Sequence, residues 1–94
     1  MATYKIYYNA YIDQESYPSI TTKQSAIKIA RSMTTNQVGN FDWDEDCKSL
    51  NFCEYVLVDA KTEQEAVQFN PEAMPQIKDA DYAGVSKLRK AKVA

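Results

Sequence analysis

Asp42-Trp43-Asp44-Glu45-Asp46 is the densest group of chemically capable side chains in the chain. Asp42, Asp44 and Asp46 have the alternating-acid spacing that opens a calcium loop, but the pattern then breaks. Its sixth position is Cys47 rather than Gly, and its twelfth is Cys53 rather than Glu. The plain reading is a solvated turn between two strands. The functional reading is an acidic contact surface, with four carboxylates around a Trp able to engage Arg or Lys on a partner. Asp59-Ala60-Lys61 matches the acid-x-Lys fragment of one class of magnesium-dependent nuclease. That chemistry needs a second strand-borne acid, so Asp42 or Asp46 would have to come close. Otherwise Asp59 and Lys61 are a polar strand exit.

The chain has no histidine, which removes Ser-His and Cys-His nucleophile activation and the commonest general base near neutral pH. Cys47 and Cys53 alone do not complete a tetrahedral zinc site. They read as two reduced thiols, although a tight hairpin could bring them together. Gly39 and Gly84 are the only glycines, so there is no glycine-rich phosphate loop. These absences argue for binding rather than catalysis, with no cofactor and no metal.

Tyr7 and Tyr11 could stack nucleic-acid bases from a sheet face, but only Lys5 accompanies them. Cross-strand aromatic packing or a protein contact are the other readings. Net charge is −2 and uneven: six Lys/Arg face ten Asp/Glu in residues 1–70, and five face three in residues 71–94. Lys87, Arg89, Lys90 and Lys92 form the basic patch, which could touch nucleic acid or an acidic protein, or simply solubilise the terminus.

The elements that must position these groups follow from periodicity. Residues 3–12 read as a strand, with Ile6, Tyr8, Ala10 and Ile12 on the core face and Lys5, Tyr7, Asn9 and Tyr11 opposite. After a loop through Pro18, Thr21 or Thr22 caps a helix, with Thr21 and Gln24 at capping-box spacing. Ala26, Ile27, Ala30 and Met33 form its apolar stripe, and it ends near Thr34. Val38–Trp43 is a second strand, with Phe41 and Trp43 sharing a face. Phe52–Asp59 is a third, apolar on both faces as a central strand is. Thr62-Glu63-Gln64-Glu65 opens a second helix, backed by Ala66, Val67 and Phe69. Thr22–Ile27 and Thr62–Val67 align, which predicts two helices entered from the same end of the sheet. Val85, Leu88 and Ala91 predict one side of a short terminal helix.

The 94 residues therefore predict one α+β domain over residues 1–83, with a basic C-terminal tail over 84–94. A three- or four-stranded antiparallel sheet carries two helices on one face, in β-α-β-β-α order. No run of about 18 apolar residues is present, and no leader is read at the N-terminus. The cytoplasm is the expected compartment.

The Tyr-rich first strand and the capped helix Thr22–Ile27 resemble small accessory proteins of phages and mobile elements, in particular short anti-CRISPR inhibitors, over residues 3–60. The resemblance implies a non-enzymatic inhibitor of a host effector complex such as a CRISPR-Cas surveillance complex, acting in the host cytoplasm. There Asp42, Asp44, Glu45 and Asp46 would occupy a nucleic-acid groove, a role from which the basic tail departs. The expected partner is a host protein or ribonucleoprotein. The alternative is a nucleic-acid-binding accessory domain using Tyr7, Tyr11 and the tail. A homodimer through the open sheet face is a further reading.

Overall fold

A computed structural model describes residues 2–68, 76, 77 and 79–88. The elements run β1 (Ala2–Asp13), α1 (Lys23–Ser32), β2 (Gln37–Asp44), β3 (Ser49–Ala60), α2 (Glu63–Gln68) and β4 (Asp81–Lys87). All four strands pair antiparallel in the order β2-β3-β1-β4. The α+β architecture is thus the expected one, with β3 and β1 central.

The two long strands pair without a break from Ala2↔Ala60 to Asp13↔Ser49. Because side chains alternate, this register puts Tyr4, Ile6, Tyr8, Ala10 and Ile12 on one face beside Val58, Val56, Glu54, Phe52 and Leu50. Both helices cover that face. Ala26, Ile27 and Ala30 of α1 pack with Ala10, Ile12, Leu50, Phe52, Ile77 and the loop residue Ile20. Ala66 of α2 packs with Tyr4 and Ala60 at the other end. Ile6, Ile20 and Leu50 are fully buried, each contributing about 1.5–3 kcal/mol of apolar transfer energy.

Two bulges keep the short edge strands in phase with this core. In β2 the pairing shifts between Gly39 and Asp42, at Asn40 with φ 56°. Asn tolerates that left-handed conformation. The extra residue lets Val38 share the core face with Phe41 and Trp43 despite opposite parity, whereas an unbulged register would turn Asp42 and Asp44 inward. In β4 the shift lies opposite Tyr7 and Tyr8, so that Val85 pairs with Ile6 and Tyr82 with Tyr8 on the same face.

Several expectations need correcting. The N-cap is Thr22, whose Oγ1 accepts from the Ser25 amide, and Ser25, not Gln24, closes the capping box. Helix α1 ends at Ser32 with Met33 as its C-cap. The two helices are entered from opposite ends of the sheet, because they follow β1 and β3, which run antiparallel. Residues Val85 to Lys87 form strand, not helix, so the boundary expected after residue 83 falls inside β4. That segment lacks a strong strand pattern and gains its order by pairing with β1. Phe69, Ala91, Arg89, Lys90 and Lys92 lie outside the described residues. Among the described residues, no helix is long and apolar enough to cross a membrane.

Candidate protein-binding face

The sheet face opposite the helices carries the tyrosines. From β1 it presents Thr3, Lys5, Tyr7, Asn9, Tyr11 and Asp13, and from β3 Asn51, Cys53, Tyr55, Leu57 and Asp59. Tyr7 does not stand free as a stacking platform. A Cβ on Gly84 would lie 2.7 Å from the Tyr7 hydroxyl, so the ring lies across Gly84 on β4. Tyr55 covers Gly39 on β2 in the same way, with a Cβ there 3.2 Å from its ring. The chain's two glycines thus sit on the two edge strands, each roofed by an aromatic ring from a central strand. The two rings meet at 6.3 Å, and Lys5 Nζ sits 4.2 Å over Tyr55. Burial, followed by the fields of Cys53 and Tyr7, pushes the Tyr55 phenol up from its ordinary pKa. Tyr11 (40% exposed) and Leu57 (61% exposed) stand open to solvent on this face.

Charge on this face is one-sided. Among the described residues, register places Asp13, Asp42, Asp44, Asp59 and Asp81 on it, against Lys5 alone. Asp59 accepts from the Thr3 hydroxyl at 2.7 Å, and Asn9 accepts from the Cys53 thiol at 3.4 Å.

The acidic hairpin divides into two pairs. Asp44 accepts from the Asp46 and Cys47 amides at 3.0 and 3.1 Å, which lowers its pKa, chiefly through the Cys47 amide. Glu45 pairs with Lys48 and accepts from Trp43 Nε1 at 2.7 Å, and these contacts lower its pKa in that order. Asp44 and Glu45 therefore hold the turn, which closes at Lys48 with φ 51°. The Asp42 and Asp46 carboxylates, both on exposed residues, accept no hydrogen bond among the described residues and remain open to a partner. Trp43 is half-buried against the core, so it anchors the hairpin rather than projecting from it. No group of three His, Cys, Asp or Glu among the described residues could hold a metal ion.

Both cysteines are free, Cys47 exposed in the turn and Cys53 buried on β3. The Asp44 charge raises the Cys47 thiol pKa. Among the described residues, Asp59 and Lys61 gain no second strand-borne acid. Asp42 pairs with Asn51, eight residues along β3 from Asp59, or about 26 Å of strand. The Lys61 amide instead donates to Glu65 at 3.1 Å, and the Glu65 amide to Thr62 Oγ1 at 3.1 Å, at the start of α2. Lys87 ends β4, exposed and paired with Tyr4.

Sequence reasoning passed over Glu54. It is fully buried, on the core face of β3. Its Oε1 accepts from the Thr34 hydroxyl at 2.6 Å, Asn36 Nδ2 at 2.7 Å and the Gln76 amide at 3.3 Å. Its Oε2 is buried without a hydrogen-bond partner among the described residues. The field of Glu54 also raises the Tyr8 phenol pKa, second to burial. The signal was in the pattern: Glu54 shares parity with Phe52, Val56 and Val58. No family model, no curated protein and no solved structure matches the chain.

Proposed function

We propose that this domain is a non-enzymatic protein-binding module that offers its helix-free, acidic sheet face and hairpin to a basic surface of a larger complex. The observation that carries this reading is the charge of that face, five aspartates against one lysine. Such a face repels nucleic acid, whose binding needs clustered positive charge. It complements a protein surface built to hold phosphates. Occupying that surface blocks nucleic acid from it, which makes the module an inhibitor. The resemblance to short anti-CRISPR proteins suggests a CRISPR-Cas surveillance complex in the host cytoplasm as the target class.

The test is capture of partners from host lysate, nuclease-treated and untreated, with wild-type protein and an Asp42→Lys/Asp46→Lys variant. These two carboxylates support no described hydrogen bond, so the fold should persist, as Trp43 fluorescence and the melting temperature would report. A partner that survives nuclease and binds the variant on the order of tenfold more weakly is the expected result. Unchanged affinity removes the hairpin from the interface. Capture lost with nuclease moves the weight to direct nucleic-acid binding through Tyr7, Tyr11 and the basic residues from Lys87 onward.

A further inference from the structure

Strand β1 outruns its neighbour on one side. Its last pair with β4 is Asn9↔Asp81, yet its pairing with β3 continues to Asp13↔Ser49. Where β4 stops short, a cleft of about 220 Å³ opens, lined by Tyr11, Ile12, Asp13, Ser16, Tyr17 and Asp79. It has room for about seven waters at ~30 Å³ each. That is below the roughly 300–1,000 Å³ of pockets that enclose whole small molecules. It suits one side chain of a partner.

The lining selects which one. Two aspartates and two tyrosines are among the lining residues, and no Lys or Arg among the described residues lines it. Asp13 spends one oxygen on the Ser16 amide at 2.9 Å, and the Asp79 carboxylate has no partner among the described residues. Carboxylates flanked by aromatic faces favour a planar cation that can both fork onto oxygen and stack on a ring, as guanidinium does better than ammonium. Beyond Asn9, β1 pairs with no strand on this side among the described residues; its Asp13 carbonyl already accepts from the Tyr17 amide at 2.9 Å, and an extended segment would add along the remaining edge.

We infer that this cleft seats an arginine side chain carried on an extended segment of a partner protein. The inference deepens the protein-binding reading above and rests on it for its biological meaning. The cleft itself can be tested with no partner present. The probe is an acetylated, amidated Ala-Arg-Ala peptide, with a citrulline version as the neutral isostere, titrated into the full chain and followed by amide NMR shifts. Saturable shifts at Ser16, Tyr17 and Asp79 are expected at millimolar peptide, and none with citrulline. Asp79→Asn should weaken binding about three- to fivefold. Asn suits the left-handed backbone of Asp79, at φ 67°, so the variant keeps the fold. Tyr11→Leu should weaken binding further, while Asp42→Lys/Asp46→Lys should leave it unchanged. Absent or unsaturable shifts, equal binding of citrulline, or sensitivity to the hairpin variant but not to Asp79→Asn would each overturn the inference. Such a failure leaves the hairpin interface standing, because that is judged by partner capture alone.

Discussion

Replacing Glu54 tests how the core tolerates a carboxylate. Glu54→Ala removes the acceptor for Thr34, Asn36 and the Gln76 amide. The first two bonds are short and part-buried, so about 1 kcal/mol each is at stake once water replaces the lost partner, and less for the longer bond from Gln76. Loss of the one buried methylene, Cγ, adds about 0.8 kcal/mol. Removing the unpartnered Oε2 returns about 1 kcal/mol. The net expected loss is about 2–3 kcal/mol, a large part of the roughly 5–14 kcal/mol available to a domain of this length. Glu54→Gln keeps the Oε1-type acceptor and the methylenes, and should lose about 1 kcal/mol or less. Urea unfolding at constant m-value measures both. The alanine variant should also melt about 10–20 °C lower. An alanine variant within about 0.5 kcal/mol of wild type, or a glutamine variant equally damaged, would refute the view that Oε1 holds Thr34, Asn36 and Gln76 to the sheet.

Gly84→Ala should destabilise by about 1–2 kcal/mol, because its Cβ would meet the Tyr7 ring at 2.7–2.8 Å. In a Tyr7→Ala background the same change should become neutral or stabilising, since alanine suits a strand better than glycine, and a double-mutant cycle without coupling would sink the ring-over-glycine account. Asp44 and Glu45 have pKa values lowered in the fold from ordinary values of 3.8 and 4.5. Their stabilisation is therefore fully present above those values and lost as pH falls through the lower folded ones. Trp43 fluorescence should report the hairpin loosening there, and Glu45→Gln should flatten the response. One thiol per native chain, Cys47, should react with a bulky disulfide reagent, while Cys53 waits for unfolding. Asp44→Asn should speed that reaction by removing the charge that raises the thiol pKa. A rate unchanged in the variant would count against this coupling.

What could be read in advance was what depends on short-range rules. Alternation in residues 3–12 assigned the core face of β1, because successive strand side chains point to opposite sides whatever they pair with. The stripe Ala26, Ile27, Ala30 and the two threonine caps announced the helices, since a cap is satisfied within one turn. The acidic run was correctly placed at a hairpin turn.

Tertiary structure decided the rest. Which acids hold the turn and which stay open depends on where amides and Lys48 fall after chain reversal, and composition does not record that. Tyr7 looked like a surface ring until Gly84, from a strand that sequence had read as helix, was paired beneath it. Strand β4 has weak local preference and exists because the edge of β1 offers it a ladder. Glu54 had the parity of a core residue, but whether a buried carboxylate finds donors is settled by Thr34, Asn36 and Gln76, brought from 18 to 22 residues away. Local propensity acts within a few residues. Charge placement, ring-over-glycine contacts and satisfaction of a buried acid are properties of pairs that only folding brings together.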